Sequence, residues 1–294
     1  MDTTKQLYET EATGWKRGLY DDIQHTFRAP IVNWIWRTTM ANYPEFCRYA
    51  WGQVKPIFET RAFARTSVAY RDTVLTAVEG THDLPAYRRA TVDVPPAEYA
   101  ELRAQLATFD VVAPRLAILF ETMDRALSGE PVGQAANPDR AATAPFPDWL
   151  DAERGASPTM VPFDEVPAEA EGTAAALQEF HGIDEGLPSI YRCLAQWPNY
   201  FTRAWDDLES AFTGDGFAEA ADRADRVATD HVDALAYTPR LAPADLRAQG
   251  FDDTLIEDVQ GLFNEFNTGA IETVVPAIHV FAATVDVDGA RTLE

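Results

Sequence analysis

WRTTMANYPEFCRYAW, residues 36–51, and IYRCLAQWPNYFTRAW, residues 190–205, are the two stretches that decide the fold. Superposed, they share an Ala, an aromatic–Pro pair, a following aromatic and a terminal Ala-Trp. The matched positions are Ala41 with Ala195, Tyr43-Pro44 with Trp197-Pro198, Phe46 with Tyr200, and Ala50-Trp51 with Ala204-Trp205. A residue that precedes proline is driven out of the α region, so each aromatic–Pro pair reads as the end of one helix and the start of the next. The pattern predicts a helix-turn-helix unit present twice in the chain.

Outward from these stretches, the apolar residues keep helical spacing. Phe58, Ala62, Phe63, Val68, Val74 and Leu75 predict a helix over residues 57–77. A second, over residues 98–127, follows the Pro95-Pro96 stop with Tyr99, Leu102, Leu106, Leu116, Leu119, Phe120, Met123 and Leu127. A third spans residues 253–285 with Leu255, Ile256, Val259, Leu262, Phe263 and Phe266. Residues 97–118 also resemble residues 254–275, with Phe109-Asp110-Val111-Val112-Ala113 opposite Phe266-Asn267-Thr268-Gly269-Ala270. No alternating stretch bounded by hairpin turns competes, so the expected class is all-α. Residues 129–171 are rich in Pro, Ala, Gly and Asp and carry neither period. The expected organisation is a first helical repeat over 1–128, a connector over 129–171 and a second repeat over 172–294. Two such repeats form an intramolecular pseudo-dimer, whose internal two-fold is an expected place for a small-molecule cleft.

Composition narrows the function. The 294 residues include 47 Asp and Glu against 24 Lys and Arg, a net charge of −23. With 46% hydrophobic residues the chain has enough apolar material for a core, which argues against disorder. The excess charge repels phosphate backbones and anionic lipid, so neither nucleic acid nor a membrane is an expected partner. Only three basic residues are lysines, Lys5, Lys16 and Lys55. An acidic, lysine-poor chain suits a salt-rich cytosol, where at 1 M salt the screening length falls to about 3 Å. The expected source is a halophile. Cys47 and Cys193 lack metal or redox spacing, and no secretory segment precedes the fold, so a cytoplasmic location is expected. His25, His82, His181, His231 and His279 are dispersed with no HxxxH or HExxH pair, and His231 in TDHVD reads as a surface group. Neither GxGxxG, P-loop nor GxSxG spacing occurs. No metal or organic cofactor is expected.

Several motifs, in order along the chain, carry a resemblance. They are Phe27-Arg28-Ala29-Pro30, Tyr43-Pro44 with Ala50-Trp51, Arg125 to Gly133, His181-Gly182, Leu194-Ala195-Gln196-Trp197-Pro198, and Gly250-Phe251-Asp252-Asp253 leading to Phe266-Asn267. In these the chain resembles the group I 2-haloacid dehalogenases, the DehI-type enzymes. The resemblance implies an all-α pseudo-dimer that hydrolyses small 2-halocarboxylic acids without a cofactor; a homodimer is an expected assembly. In that family a carboxylate, helped by an amide, activates water for direct displacement of halide.

Residue by residue, the resemblance places the acid after a Ser and eight residues before the Pro of the Trp-Pro run. That position is Ile190, after Ser189 and before Tyr191. The amide position before Pro114 is Ala113, and its second-copy equivalent is Ala270. Ile31, Trp34 and Trp36 join Tyr191 as expected pocket residues. Isoleucine cannot accept a proton, which leaves three readings open. A nearby acid acts instead, with Asp184, Glu185, Asp110 and Glu272 as candidates. Alternatively, the more apolar pocket binds a carboxylic acid without turning it over. In the third, the register shifts by a residue.

Overall fold

A computed structural model describes residues 1–133 and 154–293. Every regular element among them is helical and none is a strand. The chain runs α1 (Gly14–Phe27), α2 (Trp34–Asn42), α3 (Pro44–Phe58), α4 (Arg61–Glu79), α5 (Arg89–Val92) and α6 (Pro96–Ser128). After a 3-10 turn at Phe163–Glu165 come α7 (Ala168–His181), α8 (Ser189–Leu194), α9 (Pro198–Phe212), α10 (Asp215–Asp233), α11 (Pro243–Ala248), α12 (Asp253–Asn267) and α13 (Ile271–Ala283). No helix among the described residues is long and apolar enough to cross a membrane.

Both aromatic–Pro pairs act as their local chemistry requires. Tyr43 and Trp197 sit outside helical geometry, with ψ of 69° and 73°, and the prolines occupy the first position of α3 and α9. Helix bounds also recur along the chain. Helices α1 and α7 each have 14 residues, α3 and α9 have 15, and α4 and α10 have 19. The members of each pair start 154 residues apart, at 14 and 168, 44 and 198, and 61 and 215.

Three boundaries differ from the periodicity. The helix expected over 57–77 begins at Arg61, because the hydroxyl of Thr60 accepts a hydrogen bond from the Phe63 amide at 3.0 Å and starts a new helix. The helix expected over 253–285 is two, α12 and α13, separated by extended Thr268 and by Gly269 at φ +77°. The expected connector also contains the start of α7, at Ala168. Most of the rest of the connector, residues 134–153, lies outside the described residues. Its far end is tied to α6: Ala156 donates to the Ala104 carbonyl at 3.0 Å and Thr159 to the Gln105 side chain at 2.8 Å. Gly155 permits this approach, since at φ +86° a Cβ there would stand 2.1 Å from the Thr108 hydroxyl.

The chain forms two compact units, each assembled from three segments. The first comprises Met1–Ser67, the described part of Arg115–Ala152, and Val227–Thr268. Its core holds Phe27, Trp36, Trp51, Phe58 and Phe63, all at most 2% exposed, with Phe27 edge-on to Phe58 at 4.9 Å and Trp36 edge-on to Trp51 at 5.7 Å. The second comprises Val68–Pro114, the described part of Glu153–Arg226, and Gly269–Glu294. Its core gathers Phe180, Tyr191, Trp205, Phe212, Phe217 and Phe281, with Phe212 edge-on to Phe217 at 4.8 Å and stacked on Trp205 at 6.0 Å. Full burial of a Phe side chain contributes about 1.5–3 kcal/mol. Cys47 and Cys193 are buried free thiols, their pKa pushed up by burial.

Candidate functional site

The candidate positions separate by burial. Asp184 and Glu185 lie exposed in the loop between α7 and α8, and Glu272 is exposed in the first turn of α13. Ser189 opens α8 and is exposed, whereas Ile190 is 1% exposed and Tyr191 is fully buried. Ala113 is buried on α6, and Ala270 is half-buried just before α13. In the first unit Ile31 and Trp34 are half-buried and Trp36 is buried. Trp34 stacks on Phe266 at 4.9 Å, and Phe266 tilts against Phe120 at 5.5 Å. A further polar feature, an open groove of about 690 Å³ in the second unit, is lined by Asp93, Asn199, Arg203 and Asp207 among others.

Two side-chain constellations occupy the second unit. In the first, His181, the last residue of α7, lies 2.5 Å by Nε2 from the Tyr191 hydroxyl and 2.7 Å by Nδ1 from the Thr273 hydroxyl. Thr273 in turn donates to the Ala270 carbonyl at 3.0 Å. That last bond fixes the direction of the chain: Tyr191 donates to Nε2, and the Nδ1 proton goes to Thr273. His181 thereby ties the neighbour of Ile190 to the first turn after Ala270. Burial pulls its pKa down to about 3 and pushes that of Tyr191 up. A neutral phenol offers no charge to balance an imidazolium, so this chain positions groups and is a poor base.

The second constellation centres on Asp110, which is fully buried on α6. Arg71 of α4, also 0% exposed, donates from Nε to Oδ1 at 3.1 Å and lies 3.0 Å by Nη2 from Oδ2. The Gly289 amide donates to Oδ2 at 2.8 Å, and His279 Nδ1 lies 2.6 Å from Oδ1. Burial pushes the Asp110 pKa up, but the Arg71 guanidinium and the His279 hydrogen bond outweigh it and hold the carboxyl well below the usual range. Asp110 is therefore an anion whose two oxygens are already engaged. Pro114 supplies part of the reason for Arg71. Lacking an N–H, it frees the Asp110 carbonyl, four residues earlier on α6, and Arg71 Nη2 donates to that oxygen at 3.3 Å.

His279 completes the group. An ionised carboxylate only accepts, so the imidazole carries its proton on Nδ1. Burial lowers the His279 pKa, against the opposing pull of Asp110, which keeps the ring neutral and its Nε2 lone pair bare. Nε2 is buried and has no hydrogen-bond partner, an arrangement that costs about 1–3 kcal/mol. The Tyr70 ring stands edge-on to the imidazole at 5.7 Å. The C-terminal residues lie against the same group: Arg71 Nη1 donates to the Ala290 carbonyl at 2.8 Å, Arg154 reaches the Val287 carbonyl, and Arg103 donates to Val285 at 2.9 Å. A Cβ at Gly289 would fall 2.5 Å from the Arg71 guanidinium carbon.

Comparison with known proteins matches the fold and the site region to one group. The family model described as halocarboxylic acid dehydrogenase DehI matches residues 30–171. An (R)-2-haloacid dehalogenase of Rhizobium sp. (strain NHG3) is 29% identical over 221 residues, 71% of this chain and 79% of that protein. The chain is similar to the 2-haloacid dehalogenases. A Pseudomonas putida (R)-2-haloacid dehalogenase is 26% identical over 82% of this chain and 79% of its own length. A configuration-inverting 2-haloacid dehalogenase of Pseudomonas sp. (strain 113) is 25% identical over 77% and 74%. Solved structures of a D-2-haloacid dehalogenase, one a mutant in complex with D-2-CPA and another with L-LA, superpose with a TM-score of 0.79 over 95% of both chains at 21% identity. The DehI model match includes Asp110 and Ala113 and stops before Ser189 and Ile190.

Sequence reasoning reached Asp110 as an isolated acid and set His279 aside with the other dispersed histidines. Arg71, Asp110, His279 and Gly289 come from widely separated parts of the chain, so no spacing rule could join them. One signal was present in the matched segments. Asp110 stands opposite Asn267, so an acid occupies one copy and an amide the other. Among the described residues, no group of three or more His, Cys, Asp or Glu is placed to hold a metal ion.

Proposed function

We propose that this protein hydrolyses small 2-halocarboxylic acids by direct attack of water at C2. The observation that carries the reading is the similarity to (R)-2-haloacid dehalogenases over 71% to 82% of the chain. The scaffold is two tandem repeats, 1–128 and 172–294, joined by 129–171. Supporting this are the equal lengths and common 154-residue offset of three helix pairs. The acid and amide of the group have become Ile190 and Ala113, and the tie from Tyr191 through His181 to Thr273 organises the surroundings of Ser189. The setting is a salt-rich, reducing cytoplasm, for which the net charge of −23 and the three lysines are the support.

Incubation with 2-bromopropionate in 2–3 M KCl, with bromide and lactate measured by ion chromatography, tests the reading. Equimolar bromide and lactate above the uncatalysed rate are expected. A specific observation favours a second reading: Ile190 and Ala113 are both buried and apolar, as in a site that binds a carboxylic acid without turnover. Calorimetric binding of 2-bromopropionate with no bromide released would establish that alternative.

A further inference from the structure

We propose that His279 is the general base of this hydrolysis and that Asp110 is its positioning residue. The inference rests on the haloacid-hydrolase reading and supplies the base that Ile190 cannot be. Three features of the geometry support the assignment. Asp110 Oδ1, 2.6 Å from Nδ1, fixes the ring and its tautomer. Arg71 and the Gly289 amide fix Asp110 in turn, at 3.0 and 2.8 Å. Nε2, the bare nitrogen, is buried and unpartnered, as an acceptor waiting for a donor would be. Asp110 lies one helical turn before Ala113 on the same face of α6, which places the pair beside the amide position of the resemblance.

The repeat argues against a purely structural role. At the 157-residue offset that sets Asp110 opposite Asn267, His279 falls opposite Thr122. The first unit buries Thr122 fully, and Asn267 there donates to Glu121 at 2.9 Å and to Asp124 at 3.1 Å. One compact unit therefore stands with Asn267 and Thr122 at the positions that correspond to Asp110 and His279 of the other, so helix packing does not demand the dyad.

In the step itself, His279 Nε2 removes a proton from water as the water oxygen bonds to C2. The C2–halogen bond breaks with its electron pair on the departing halide. The products are the 2-hydroxycarboxylate, the halide and a proton, which passes from Nε2 to solvent. Asp110 keeps its charge throughout and stabilises the imidazolium. The charged and titratable groups around the ring are Asp110 from α6, Arg71 and Tyr70 from α4, and Asp288 from the C-terminal segment.

The test is bromide release from 2-bromopropionate by the wild type, His279→Asn and Asp110→Asn, as kcat, KM and pH profile. The His279→Asn amide can still donate to Asp110 but cannot take a proton. The expected result is a fall in kcat of about 100-fold or more with KM within threefold, and loss of the acidic limb of the profile. Wild-type turnover with a His279→Asn kcat and profile unchanged overturns the base assignment alone. No wild-type turnover overturns the hydrolase reading and the base with it. Should His279→Asn fail to fold, 15N spectra of histidine-labelled wild type decide. Protonated Nδ1 with bare Nε2 at neutral pH is expected, and a proton on Nε2 overturns the proposal.

Discussion

At the residue scale the costliest arrangement is the buried Arg71–Asp110 pair. Two ions have left water, and the pair holds because each oxygen of Asp110 has a donor. Replacement of Arg71 leaves a buried carboxylate without its counter-ion, so Arg71→Met should lower unfolding free energy by about 3–5 kcal/mol in urea titrations. Gly289→Ala should cost about 1–3 kcal/mol in the same assay, because its Cβ collides with a guanidinium that its own bonds keep in place. Buried histidines give stability a pH dependence. His181 and His231, brought down by burial to about 3 and about 4, stay neutral in the folded chain, while an unfolded histidine takes a proton near 6.5. The unfolded state thus binds more protons in that interval. Their contribution is present in full above about pH 6.5 and is lost as pH falls toward about 3. Thermal midpoints measured between pH 7 and 4 should fall, and His181→Gln should flatten the dependence.

At the element scale, local chemistry sets where helices begin and end, and side chains then use what the backbone leaves over. Pro114 illustrates both. It stays inside α6, a helix of 33 residues, but it withholds one N–H, and the freed Asp110 carbonyl becomes an acceptor for Arg71. A proline thus helps hold an arginine beside the carboxylate one turn away. Start signals are simpler: the Asp252 side chain accepts from the Leu255 amide at 2.8 Å and caps α12. Asp252→Ala should destabilise by about 1 kcal/mol, read as a lower urea midpoint with an unchanged slope. The break at residues 268–270 escaped the periodicity because apolar spacing resumes in register after it. Only extended Thr268 and the positive φ of Gly269 end one helix there.

For the whole molecule, charge dominates. A net −23 on 294 residues repels itself in dilute buffer, and salt screens that repulsion. The midpoint of thermal unfolding should therefore rise by more than about 4 °C, equivalent to about 1 kcal/mol or more, between 0.1 and 2 M KCl. A midpoint that falls or stays level would remove the salt-adapted reading of the composition. The compact units each draw on three segments, and α4, α6 and α10 each contribute residues to both. Consecutive sequence halves and compact units are accordingly different divisions of this chain.

The helical class, the helix junctions at Tyr43-Pro44 and Trp197-Pro198 and, to within a few residues, the spans of α4 and α6 are legible in the sequence, because these follow from spacing and from the backbone restriction before proline. The sequence also brought Asp110, Ser189, Ile190 and Ala113 into view as positions of interest. What each of them does depends on contacts made across the fold. Burial and hydrogen bonding to Arg71, His279 and Gly289 turn Asp110 from a candidate base into an engaged anion. The same contacts leave His279 with a fixed proton on one nitrogen and a bare lone pair on the other. Protonation state depends on which distant side chains share a low-dielectric interior, and no local pattern along the chain encodes that.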